Sequence, residues 1–176
     1  MYATGRYASC TLRSEMGAMH KVHVPYLSGA PLRQLEELAA WSEQLTSGML
    51  VAFTSHASER RLWPMEGCYW LARTLGPAFA VPASQVHASD YFEEGWLVVK
   101  CQWYKVITTS PRCYKLLAGE KLLVVSEMIR MKNVKFEKTV GRESRSSIAV
   151  SYLSEDTHNA LEACARAQCD DDDASV

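Results

Sequence analysis

Two rhythms of hydrophobic and polar positions divide the chain. Leu32, Leu35, Leu38 and Leu45 recur at a spacing that lines one face of a helix, with Pro31 suited to the first helical position and Gly48 to the stop. From Gly48 the pattern shortens toward alternation. MLVAFTS, CYWLARTL and WLVVKCQWYKVI each read as a strand, separated by the polar stretch SHASERRLWPMEG and by the long connection GPAFAVPASQVHASDYFEEG. TTSPR is then a turn, CYKLLAGEKLLVV a hairpin folded at Ala118-Gly119, and SEMIRM a short helical turn or closing strand, after which NVKFEK can add another. Beyond the polar link TVGRESRSS, SIAVSYL is a late strand. Ser154 caps a helix through EDTHNALEACARAQ, where Glu155 and Asp156 complement the positive end of the helix dipole. Ahead of Pro31, HKVHVPYL is the one strand candidate.

This reading divides the chain into a loosely ordered segment over residues 1–29, a helix over 30–47 packing on the body, and a β body over 48–138. A linker, strand and helix follow over 139–169, and an acidic, disordered tail over 170–176. With 176 residues, 48% of them hydrophobic, the middle of the chain can bury a real core without staples. No apolar run approaches the roughly 20 residues that span a bilayer, and the first residues lack the apolar block of a secretory signal. The expectation is a soluble intracellular protein with no membrane partner.

Charge changes the picture locally rather than globally. The net charge is -1, yet residues 48–138 hold twelve Lys and Arg against eight Asp and Glu, while residues 139–176 hold three against eight. A mildly basic body with an acidic tail suits an anionic partner, a masking tail, or simply a solubilising one.

Residues able to carry chemistry are scattered. Cys10, Cys68, Cys101, Cys113, Cys164 and Cys169 include no Cys-x-x-Cys pair, and His20-x-x-His23 has no cysteine close in sequence, which points away from zinc. No Gly-x-Gly-x-x-Gly cradle is present, the histidines stand outside catalytic signatures, and Glu93-Glu94 reads as a solvated pair. The expectation is a non-enzyme that uses neither cofactor nor metal.

The surplus of rings is what calls for a function. Alternation places Leu97, Val99, Cys101, Trp103 and Ile107 on one side of the third strand as its core face, interrupted by Lys105. Trp96, Val98, Lys100, Gln102, Tyr104 and Val106 fall on the other, so Trp96 and Tyr104 are expected on an accessible face. Tyr69 and Trp70 are adjacent and cannot both face inward, and Tyr114 is ambiguous beside Cys113. Each ring taken singly is satisfied by core or edge packing. Taken together, rings on one rim can enclose an alkylated ammonium at about 0.5 to 2 kcal/mol per contact, with Asp90, Glu93 or Glu94 adding charge selectivity. Rings beside Lys100, Lys105 and Arg112, helped by KNVKFEK with Lys132 and Lys135, can instead stack on unpaired bases and meet phosphates.

The succession GMLVAFTS, GCYWLARTL, GWLVVKCQWYKVI and CYKLLAGEKLLVVSEMIRM resembles a Tudor-type or related SH3-like barrel, the group of chromatin readers that includes Tudor, chromo-barrel and bromo-adjacent-homology domains. The resemblance covers about half the chain. It implies a mainly β fold, an SH3-like five-stranded barrel with flanking amino- and carboxy-terminal helices, and a non-catalytic nuclear module that recognises a methylated histone or other protein tail. On that reading Tyr69, Trp70, Trp96, Trp103, Tyr104 and Tyr114 line an aromatic cage with Glu94 as charge partner. The alternatives are a nucleic-acid-binding barrel like the end domain of a mobile-element integrase, using Lys100, Lys105, Arg112, Lys132 and Lys135, and a structural adaptor.

Overall fold

A computed structural model describes residues 8–13, 19–24, 39–55, 57–62, 64–87, 90–141 and 149–173. The chain is mainly β. Its strands are β1 (Ala8–Arg13), β2 (Met19–Val24), β3 (Leu50–Thr54), β4 (Tyr69–Thr74), β5 (Phe79–Ala80), β6 (Gln85–His87), β7 (Asp90–Phe92), β8 (Leu97–Thr109), β9 (Arg112–Leu116), β10 (Lys121–Val124), β11 (Lys138–Val140) and β12 (Val150–Tyr152). The α-helical residues are a stretch α1 over 39–43, then α2 (Ala57–Leu62) and α3 (Glu155–Asp173), and Val125–Glu127 form a single 3-10 turn. The rest of the helix expected over 30–47 falls partly on 30–38, outside the described residues.

The expected five-stranded barrel is replaced by an eight-stranded antiparallel sheet, and no closed barrel forms among the described residues. Its path is β11-β12-β9-β8-β4-β3, with β10 and β5 also pairing to β8. The reason lies in two connections. The segment 76–95, read as a loop, contributes three short strands, of which β5 joins this sheet while β6 and β7 pair separately. The expected hairpin at Ala118-Gly119 is not one, because β9 and β10 do not pair with each other. Each runs antiparallel to a different part of β8, β10 against residues 98–101 and β9 against 104–109. Gly119, at φ 101°, makes the turn between them in a conformation that favours glycine. The true hairpin is β8–β9, around a cis Ser110–Pro111 bond in the TTSPR turn.

Two compact units divide the chain. The first comprises residues 1–48, 74–101 and 121–126. Its core gathers Val81, Phe92, Val98, Leu122 and Val124, with Phe79 and Trp96 packed against them. The second comprises residues 49–73, 102–120 and 127–176, and β8 therefore starts in one unit and ends in the other.

The core of the second unit joins Ala52, Tyr69, Leu71, Tyr104, Val106 and Tyr114 from the strands to Leu161 and Ala165 of α3. Leu161 and Ala165 are four residues apart, one turn of helix, so α3 presents a narrow apolar stripe to the sheet. Ser154 caps it, its hydroxyl accepting from the Thr157 N–H at 3.3 Å, as the sequence indicates. The helix runs to Asp173 and takes in part of the tail expected to be disordered, because extending a formed helix costs little even where aspartates oppose its dipole.

The register sorts the second unit's side chains into two faces. Ala52 pairs with Leu71 and Val106 with Tyr114, all on the α3 side, while Phe53 pairs with Trp70 and Lys105 with Lys115 on the other. This reverses half of the expectation for β8. Leu97, Val99 and Cys101 are buried as expected, but so is Val98, and past residue 102 the buried positions are Tyr104 and Val106. Trp103 is only half-buried and Ile107 is 42% exposed. Alternation states which residues share a side, not which side is covered.

Candidate functional site

The rings expected to form one cage are divided among three environments. Tyr69, Tyr104 and Tyr114 are interior residues of the second unit. Tyr104 meets Phe136 edge-on at 4.9 Å between centroids, and Phe136 also touches Tyr114 at 5.7 Å. Their burial withdraws three of the six expected ring faces from the surface. Trp96 belongs to the first unit, edge-on to Phe92 at 6.5 Å. Only Trp70 and Trp103 come together at a half-exposed position, 5.7 Å apart and tilted by 53°. Phe53 backs Trp103 edge-on at 5.8 Å.

A cation held between two rings needs their faces apart, with each centroid within about 6 Å of the charge. Trp70 and Trp103 instead touch each other. Their indoles form a tilted platform rather than a slot, and Trp70 Nε1 is buried with no hydrogen-bond partner among the described residues.

Two lysines complete this face. Period two puts Lys105 on the same side of β8 as Trp103, and Lys115 is its direct cross-strand partner on β9. Like charges directly opposite on a sheet are destabilising, and among the described residues neither lysine makes a salt bridge. Leu117, whose N–H donates to the Trp103 carbonyl at 2.8 Å, adds an exposed apolar side chain beside the rings. Lys115 was absent from the sequence reading. The signal for it was the register of β9, which the presumed Ala118-Gly119 hairpin obscured.

The other expected cations and the acid lie elsewhere. Lys100 is exposed on the first unit's part of β8. Lys132 and Lys135 are exposed on the segment that carries Val134 into the core. Arg112 is turned inward, donating to the Met65 and Glu66 carbonyls and to the Tyr114 hydroxyl, with its guanidinium 5.9 Å from the centre of the Tyr69 ring. Glu94 is exposed in the first unit, and its N–H is held by Ser84 Oγ at 3.0 Å.

A polar network that the sequence reading missed lies between α3 and the sheet. Arg112 Nε donates to Tyr114 at 3.2 Å, the two phenols are 3.1 Å apart, and Tyr69 is 2.7 Å from His158 Nδ1. Arg112 can only donate. Each phenol keeps a donated bond only if Tyr114 donates to Tyr69 and Tyr69 to His158, which places the imidazole proton on Nε2. Burial, then the Arg112 charge, lower the His158 pKa, against the pull of Glu162 and Glu155. Burial raises the Tyr69 and Tyr114 hydroxyls, so the chain of groups is neutral between its charged end and the imidazole at neutral pH.

Carboxylates flank this network. Glu66 accepts from the Val106 N–H at 3.1 Å, and burial raises its pKa despite that bond and the charges of Arg112 and Lys105. Burial would also raise Glu162, but its bonds from the Cys68 N–H and thiol, the His158 charge and Arg166 bring it below its ordinary value. Burial and the neighbouring Glu162 raise the Cys68 thiol, which favours its protonated form. The arrangement ties α3 to β4 and β9. Among the described residues no group of three or more His, Cys, Asp or Glu could hold a metal ion. No helix among them is long and apolar enough to cross a membrane.

No family model matches the chain, nor does any curated protein or solved structure.

Proposed function

We propose that the protein is a non-catalytic binding module whose second unit presents Trp70, Trp103, Lys105 and Lys115 to single-stranded nucleic acid. The observation that carries the reading is the Lys105–Lys115 pair, two cations set opposite each other on the face that holds the half-buried indoles. A phosphate between the ammonium groups relieves their repulsion, and a base can stack on the indole platform, the combination that sequence-tolerant single-strand binders use. Contact between the two indoles and the distribution of the remaining rings favour this over recognition of a methylated histone tail. A nuclear, intracellular setting goes with the proposal.

Titration with an oligothymidylate, followed by quenching of indole fluorescence, tests it. Trp103→Ala is expected to weaken binding about tenfold, as loss of one stacked base does, and Trp96→Ala, in the other unit, to leave it unchanged. Equal behaviour of the two variants, or binding of a trimethyl-lysine peptide in preference to both the unmodified peptide and the oligonucleotide, contradicts it.

A further inference from the structure

The strands β6 and β7 form a sheet of their own in the first unit, pairing with each other and with no other described strand. Among the described residues no strand pairs with either outer edge, where backbone donors and acceptors can meet a further strand. One side of this hairpin is anchored, because Phe92 is in the first unit's core. The base is tied by the bonds from Val81 N–H to the Trp96 carbonyl at 2.9 Å and from Gly95 N–H to the Val81 carbonyl at 2.8 Å.

The other side is displayed. Val86 and Tyr91 are direct cross-strand partners, so their side chains project together, and they are 69% and 58% exposed. A β-branched residue opposite an aromatic one is a pairing that normally stabilises a covered sheet surface. Here nothing described covers it.

The charge along the chain segment that carries the pair is of one sign. No Lys or Arg occurs between Arg73 and Lys100, while Asp90, Glu93 and Glu94 fall within that stretch, and Asp90 and Glu94 are exposed. Ser84 Oγ, by accepting from the Glu94 N–H, fixes the turn that carries the second carboxylate.

We infer that the β6–β7 hairpin is a docking edge for an extended, Lys- or Arg-rich segment of a partner protein. The segment adds as a strand at a free edge, its apolar residues cover Val86 and Tyr91, and its cations meet Asp90 and Glu94 or lie over the Tyr91 ring. The inference is independent of the nucleic-acid face, since every residue it uses belongs to the first unit.

The test uses the full chain and two labelled ten-residue peptides, one of alternating Lys and Val and its Glu and Val counterpart, followed by fluorescence anisotropy. The Lys peptide is expected to bind at least tenfold more tightly than the Glu peptide. Tyr91→Thr and Asp90→Asn/Glu94→Gln are each expected to weaken it severalfold, with far-ultraviolet circular dichroism unchanged because all three side chains are exposed. Equal affinity for the two peptides, or affinity that neither variant alters, overturns the inference. So does sedimentation showing that the chain self-associates and that Tyr91→Thr abolishes the association, which would make a second copy the occupant.

Discussion

Tyr69 on β4 and His158 on α3, 89 residues apart in sequence, are joined by a 2.7 Å hydrogen bond between the phenol and Nδ1, which the phenol donates in the arrangement that satisfies both hydroxyls. That bond ends a one-directional chain starting at Arg112, and the chain makes the docking of α3 sensitive to protonation. A proton on Nδ1 turns the acceptor into a donor, so Tyr69 must accept from it, and one hydroxyl of the pair then loses its acceptor.

The pH dependence follows from the lowered His158 pKa. The unfolded chain takes up a proton near the ordinary histidine value, about 6.5, that the folded state refuses. The stability His158 contributes is therefore fully present above about pH 6.5 and is lost as pH falls from there toward the folded pKa. Urea denaturation at pH 7.5 and 5.5 checks this: stability is lower at pH 5.5, and His158→Asn, whose Oδ1 stands where Nδ1 accepts from Tyr69 and does not titrate, shows a smaller drop.

Tyr69→Phe removes the middle of the chain: the Tyr114 hydroxyl keeps the bond from Arg112 but loses the acceptor for its own proton, and His158 Nδ1 loses its donor. A buried polar group left unpaired costs about 1–3 kcal/mol. The variant is expected to lose about 2 kcal/mol at pH 7.5, measured by the shift of the urea midpoint. Replacing His158 in the Tyr69→Phe background should then add less than it does in the wild type.

Gly67→Ala is expected to be destabilising for two separable reasons. Gly67 has φ 82°, a left-handed conformation that costs a side chain about 1–2 kcal/mol. An added Cβ also meets the Glu162 carboxylate, which must move off the Cys68 N–H it accepts from. The combined loss is about 2 kcal/mol or more by chemical denaturation. Glu162→Ala/Gly67→Ala should recover part of the steric share and none of the conformational one.

Lys115→Glu separates the cost of the lysine pair from its use. It converts a repulsive cross-strand pair into an attractive one, so the free protein should gain a few tenths of a kcal/mol in thermal or chemical denaturation. Oligonucleotide affinity should fall in the same variant. A pair kept for structure would not show that opposition.

The sequence is legible wherever a local signal decides the structure. Ser154 before an acidic first turn marks the start of α3, and the β-branched and aromatic run of β8 marks its longest strand. What it does not carry is decided at a distance. Tyr104 and Trp103 are equivalent by alternation, and the approach of α3 together with Ile129, Val134 and Phe136, all distant in sequence, makes one interior and the other half-exposed. Lys105 carried a hint, since a cation on Trp103's side argues that this side is the open one. The Tyr69–Tyr114–His158 chain has no sequence signature at all, being assembled from two strands and a helix with no fixed spacing.

The salt dependence of oligothymidylate affinity tests the central proposal most directly. Phosphate contacts release counterions, so log affinity should fall linearly with log salt, and each lysine removed should flatten the slope by about 0.7. For Lys105→Gln/Lys115→Gln the account predicts weaker binding and a slope shallower by about 1.4, twice the single-lysine value. An unchanged slope in that variant, or no measurable binding by the wild type even at low salt, contradicts it.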